Sequence, residues 1–131
     1  MMRNMNMRFR KPLWPLLACL AVAYVSLAHA FPRHVDIVLQ PGEIHEDCFA
    51  LQARQQVQYN FKLERPAKFN LHYHQGMEIF YPVRSESVSE QKGNYVAPVA
   101  REYCLMWSGD KEGDNKLGYE FVVVEPGLTK P

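Results

Sequence analysis

Apolar and polar residues alternate with a period of two along most of the chain from Val35 to Val124. Val35, Ile37 and Leu39 alternate with polar neighbours, the period of a half-buried strand. Gln40-Pro41-Gly42 closes this segment, since Pro and Gly favour a turn. Glu46 to Leu51 reads as a short second strand with Cys48 between Asp47 and Phe49. The clearest alternation runs from Gln55 to Glu64. Val57, Tyr59, Phe61 and Leu63 point one way, and Gln56, Gln58, Asn60 and Lys62 the other. Arg65-Pro66 is expected to end that strand, because proline cannot donate to a ladder.

Lys68 to Val83 (KFNLHYHQGMEIFYPV) reads as a β-hairpin. Phe69, Leu71 and Tyr73 alternate on one limb, and Met77, Ile79 and Tyr81 on the other. A three-residue loop at His74-Gln75-Gly76 pairs Tyr73 with Met77, Leu71 with Ile79 and Phe69 with Tyr81, which gives one wholly apolar face. It also puts Gly76 at the left-handed position that such loops require. A slip of one residue exposes the whole set, so burial favours this register. The expectation that follows is a core wall of six apolar residues, with His72 directly across from Glu78 on the outer face, His74 at the rim and Phe80 pointing outward.

Arg84 to Lys92 is polar and rich in serine, and reads as a long loop or weak edge strand. Val96 to Val99 is a strand interrupted by Pro98, hence at an edge. Glu102 to Ser108 and Lys116 to Val124 alternate again, with the turn Gly109 to Asn115 between them. No stretch after residue 30 shows a helical period. About eight short strands, with turn signals roughly every 8 to 12 residues, predict an all-β fold, an antiparallel β-sandwich.

Residues 1–30 read as an address rather than as part of that fold. Arg3, Arg8, Arg10 and Lys11 precede the apolar run Pro12 to Leu27, and Ala28-His29-Ala30 has the small-x-small form that signal peptidase accepts. An uncleaved anchor and a lipoprotein box at Cys19 are the alternatives. Cleavage leaves 31–131 as a single domain, long enough to bury a core, with no transmembrane segment. Eleven Lys and Arg then face fourteen Asp and Glu, scattered singly, without the basic patch that nucleic acid needs. That chain keeps two cysteines, Cys48 and Cys104. In an exported protein such a pair is most simply a disulfide, closing a long loop for roughly 4 kcal/mol. A paired thiolate metal site calls for closer spacing, such as C-x-x-C, which is absent.

Glu46-Asp47-Cys48-Phe49, a strand like Val57 to Leu63, then Gly93-x-Tyr95, Tyr103-Cys104-Leu105-Met106-Trp107-Ser108 and Leu117 to Val124 together resemble a GOLD (Golgi dynamics) domain, over about residues 41–124. The resemblance implies a β-sandwich and a Cys48–Cys104 bridge. It does not imply cargo-receptor function, because the receptors' coiled coil and membrane helix are missing and their Cys-Phe-x-Asn is replaced by Cys104-Leu105-Met106-Trp107. FNLHYH followed by YCLMW also resembles small exported bacterial proteins.

His72, His74 and Glu78 form the densest group of potential ligands, with His45 able to reach in from a loop. Alternate strand residues project to one side, about 7 Å apart, so two imidazoles and a carboxylate suit zinc or copper. Met77 or Met106 adds a preference for Cu(I), weakened because Met77 faces the core in the preferred register. The plain alternative is a pair of solvated histidines beside a turn. Asp110, Glu112 and Asp114 have the alternate spacing of a calcium loop but lack its closing Glu. Tyr103, Trp107, Tyr119 and Phe121 suit either a sugar platform or a core. There is no G-x-S-x-G, P-loop or dinucleotide fingerprint. The reading is therefore an exported, periplasmic or secreted, non-catalytic binding or interaction module for an unknown protein or small molecule. Metal binding through His72, His74, Glu78 and His45 is the alternative. A small hydrolase, for which no residue stands out, is the third.

Overall fold

The computed structural model describes residues 31–127, so the predicted address segment, residues 1–30, lies outside the described residues. Six antiparallel strands form one sheet: β1 (Arg33–Leu39), β2 (Ile44–Leu51), β3 (Gln56–Gln75), β4 (Glu78–Val96), β5 (Arg101–Ser108) and β6 (Asn115–Val124). Helix is absent from the described residues. Six strands replace the predicted eight: the segments on either side of Pro66 fuse into β3, and the predicted strand Val96 to Val99 is reduced to Val96, the last residue of β4.

The spine is β3. One of its edges pairs with β4 over most of its length. The other edge changes partner, pairing Gln56 to Leu63 with β6 and then Lys68 to Tyr73 with β5. β1 extends β6, and β2 extends β5. The sheet thus has two arms that diverge from β3 and face each other across the core. Ring contacts bridge the arms: Trp107 of β5 lies 4.5 Å from Tyr119 of β6, and Phe49 of β2 lies 4.7 Å from Phe121 of β6. Leu39, Val57, Phe61, Phe69, Leu71, Leu105 and Leu117 fill the space between.

The change of partner falls at Glu64-Arg65-Pro66-Ala67. The sequence reading ends the strand here, but β3 continues through Pro66. Proline is tolerated because neither β6 nor β5 pairs with this stretch, so no ladder hydrogen bond is lost. Asn115, fully buried, takes the place of a neighbouring strand. Its Oδ1 accepts from the Arg65 backbone N–H at 3.0 Å, and its Nδ2 donates to the Arg65 carbonyl at 2.9 Å. The Arg65 side chain then donates to Asp110 and to the Gly113 carbonyl, each at 2.9 Å. Asp110 also accepts from the Glu112 N–H; that bond first, and then Arg65, hold its carboxyl below the usual range. This carboxylate pins the bend, which leaves the calcium-like spacing without an open ligand at its first position.

The polar stretch Arg84 to Lys92, expected to be a loop or weak edge, belongs to β4. Among the described residues, β4 pairs only with β3, and it is mostly exposed. Gly93 on β4 stands opposite Tyr59, and an added Cβ would fall 2.1 Å from the Tyr59 ring. The ring lies across the glycine, which is the means by which an aromatic residue compensates a strand glycine.

Candidate functional site

The β3–β4 hairpin differs from its predicted register. Gln75 pairs with Glu78, His74 with Ile79 and Tyr73 with Phe80, so the loop is the two residues Gly76-Met77. Gly76 takes a φ of 63° at the first loop position, as a II′ turn requires, and that turn matches the natural twist of the flanking strands. The shift moves β4 side chains to opposite faces. Phe80, expected outside, stacks on Tyr73 at 5.2 Å on the core side. Ile79 and Tyr81, expected in the core, lie on the outer side. Further along, Leu71 pairs with Val83, so three residues of β4 span two of β3. This bulge holds Pro82 and returns Val83 to the core side, which offsets the apolar burial that the two-residue loop gives up.

Of the predicted wall, Phe69 and Leu71 are buried and Tyr73 is half-buried. Met77 is 101% exposed, Ile79 44% and Tyr81 42%. The reason is length. The last β3–β5 pair is Tyr73 with Tyr103, so residues 74–79 extend past the third strand and pair only with one another. The tip therefore offers Met77, Ile79 and about a third of Phe80 to solvent on a short, tightly turned support.

Inside that tip the burial pattern breaks. β3 alternates up to Lys68, and then Phe69, Asn70, Leu71 and His72 are all buried, on both faces. On the outer face, Cys48, Cys104 and His72 stand in one row across β2, β5 and β3, each directly opposite the next. Cys48 and Cys104 form a disulfide. His72 Nε2 lies 2.9 Å from Glu46, and its Nδ1 lies 2.8 Å from the Asn70 side chain. The rings of His74 and Tyr81 border it at 5.4 and 5.7 Å, and Arg84 lies over Tyr81 at 5.3 Å. Burial lowers the His72 pKa, and Glu46 opposes that shift. Asn70 Oδ1 accepts from His72 Nδ1–H, and Nε2 faces the Glu46 carboxylate, which accepts from Nε2–H when the ring is protonated. A shallow groove of about 120 Å³ runs beside it past Asn70, Tyr81, Arg84 and Met106.

The proposed ligand set does not converge. Glu78 lies at the tip opposite Gln75, not opposite His72. His45 is on the inner face, where it stacks on Trp107 and lies 2.9 Å from the Tyr119 hydroxyl. Tyr119 in turn donates to Asp47 at 2.7 Å, and Arg33 pairs with the same carboxylate. Burial first, and then Asp47, push the Tyr119 pKa well up. Only His72 and His74 of the four are neighbours. Tyr103, Trp107, Tyr119 and Phe121 are all buried in the core, which removes the sugar-platform reading. Glu46, Asn70 and Tyr81 are what sequence reasoning passes over. Positions 46 and 48, like 70 and 72, share strand faces, but which strands adjoin is a property of topology.

No protein-family model matches the chain, and no curated protein matches it in sequence. Among solved structures, PliG of Aeromonas hydrophila, a periplasmic inhibitor of g-type lysozyme, superposes with a TM-score of 0.50. Its identity is 11%, over 72% of this chain and 88% of its own. PliG of Salmonella Typhimurium, also a periplasmic inhibitor of g-type lysozyme, superposes with a TM-score of 0.52 and 16% identity. That match covers 71% of this chain and 87% of the other. At such identities the likeness is one of fold.

Proposed function

We propose that this chain is an exported, non-catalytic protein-binding module, and that its partner is a lysozyme, bound through the tip of the β3–β4 hairpin. The observation that carries the reading is the tip itself. Met77, Ile79 and Phe80 are apolar and exposed on a narrow hairpin that outruns its sheet. Such side chains are costly to leave in water, and a buried aromatic anchor surrounded by near-neutral contacts is how interfaces concentrate energy. A narrow apolar projection fits a cleft better than a flat surface, and a glycan-cleaving enzyme presents a cleft. The choice of lysozyme follows the partner of the two PliG structures, whose fold this chain shares. Export rests on residues 1–30. The GOLD-like kinship belongs to the same proposal, supported by Cys48, Cys104 and the seat that Gly93 makes for Tyr59.

Calorimetric titration of the purified protein against a g-type lysozyme tests the reading. Saturable one-to-one binding is expected, with Phe80→Ser weakening it by roughly 30-fold or more, as for an interface hot spot of about 2 kcal/mol. Absence of binding at tens of micromolar, or equal affinity for the Phe80→Ser protein, contradicts it.

A further inference from the structure

We propose that the outer-face row Cys48–Cys104–His72, together with Glu46, becomes a zinc-class metal site when the disulfide is reduced. Such a site is distinct from lysozyme binding and does not depend on it. The three row residues come from three adjacent strands and are directly opposed. Potential ligand atoms of Glu46, His72 and Cys104 all lie within 4.8 Å of one another, as do those of Cys48, Glu102 and Cys104. The two groups share Cys104. Two thiolates, one imidazole and one carboxylate make a four-ligand set suited to tetrahedral Zn(II), for which Zn–S is about 2.3 Å and Zn–N about 2.0–2.1 Å. The imidazole is already aimed. Asn70 Oδ1 holds Nδ1–H, which leaves Nε2 facing Glu46, and an outer-shell partner on the second nitrogen is what metal-ligating histidines usually have. The wide separation of the two cysteines in sequence hides this arrangement, because strand pairing rather than a C-x-x-C turn brings them together.

The chemistry needs a dithiol reductant. One of its thiolates attacks Sγ of Cys48, the more exposed of the pair. The Cys48–Cys104 bond breaks, and Cys104 leaves as a thiolate. The second thiol of the reductant then displaces Cys48 from the mixed disulfide. The reductant ends as its own disulfide, and two electrons and two protons have passed to the protein. Metal binding releases the protons of both thiols. Two thiolates, the Glu46 carboxylate and neutral His72 around Zn(II) carry a net charge of −1. A small-molecule disulfide reverses the exchange: it takes up the two electrons, is reduced to its dithiol, re-forms the Cys48–Cys104 bond and expels the ion.

Co(II) is the probe, because thiolate coordination gives it intense near-ultraviolet charge-transfer bands and visible bands typical of a tetrahedral site. The intact protein, reduced by a dithiol and then freed of it, is titrated with Co(II) without oxygen. One equivalent is expected to develop these bands, and Zn(II) to abolish them. The oxidised protein is expected to show none. His72→Gln, reduced, should bind at least as much more weakly as the roughly 10- to 100-fold that loss of an outer-shell partner causes. Thiolate bands that are absent from the reduced protein, or Co(II) affinity unchanged by both His72→Gln and Glu46→Gln, overturn the proposal. If reduction unfolds the chain, recovery of the native circular dichroism with one equivalent of Zn(II) supports it, and failure to recover overturns it.

Discussion

The two limbs of one hairpin carry the same apolar rhythm and meet opposite fates. Phe69 and Leu71 on β3 are buried almost completely, while Met77 in the turn and Ile79 and Tyr81 on β4 face solvent. Composition does not separate them. What separates them is the number of neighbours each backbone has. The β3 limb lies between β4 and β5, with the opposite arm of the sheet across its inner face. The β4 limb has β3 alone. A strand with one neighbour and no layer above it cannot bury a side chain, however apolar. An apolar alternation therefore specifies a strand, while the topology decides whether its apolar side is core or surface.

The contrast between the limbs is greatest at Phe69, whose ring contacts Phe61 at 4.5 Å and Trp107 at 5.4 Å. Phe69→Ala should lower unfolding free energy by roughly 3–5 kcal/mol, the usual cost of emptying a core aromatic site. Ile79→Ala, on the solvent-facing limb, should stay within about 1 kcal/mol. Equal losses in urea denaturation would mean that both limbs are packed and that Tyr73 does not pair with Phe80.

The change of partner along β3 gives a smaller effect. Asn115→Ala removes the two hydrogen bonds that satisfy the Arg65 backbone at the bend. Leaving buried backbone groups unpaired costs roughly 1–3 kcal/mol. Asn115→Asp keeps the acceptor but sets a buried carboxylate against the Arg65 carbonyl, and should cost at least as much. Thermal unfolding of the two variants reads the order. Gly93→Ala places a methyl group inside the Tyr59 ring and should cost about 1–3 kcal/mol as overpacking. In a Tyr59→Ala background, where the ring is gone, the further change Gly93→Ala should cost little.

The smallest effect is a dependence on alkaline pH. Burial raises the pKa of Tyr95 to about 12 and also raises those of Tyr59, Tyr103 and Tyr119. In the unfolded chain these phenols ionise near 10. Between that value and the folded ones the unfolded state binds fewer protons, so stability falls as pH rises through the window. Below about pH 9 the phenols are protonated in both states and contribute no slope. Denaturation curves at about pH 8 and about pH 11 should show the decline, and Tyr95→Phe should reduce it.

Much of the architecture is legible in the chain. The alternations at Val35 to Leu39, Val57 to Leu63 and Leu117 to Val124 each become a strand, and the all-β class follows from them. Cys48 and Cys104 are bonded as their even count in an exported chain suggests. The strand count is not legible. Pro66 and the polar run Arg84 to Lys92 look like breaks, and only the partner on each edge shows that they are not. The hairpin register is illegible for a related reason. Choosing the loop by maximum burial assumes that both limbs have a core to face, and β4 has none at its tip. The outer-face site is partly visible, since His72 and His74 stand out. Its other members, Glu46 and Asn70, are brought to His72 by the β2–β5–β3 order, which no local pattern encodes.

If the exposed limb of the hairpin exists to meet a lysozyme, the protein should protect cell walls from that enzyme. The rate of bacterial cell-wall lysis by a g-type lysozyme is the readout, measured against increasing concentrations of the purified protein and of its Met77→Ser, Phe80→Ser variant. Inhibition should saturate near one equivalent of the unaltered protein. The variant should inhibit at least roughly 30-fold more weakly, while its circular dichroism stays native. Full lysis at every concentration, or equal potency of the two proteins, would contradict a lysozyme-binding role for the hairpin tip.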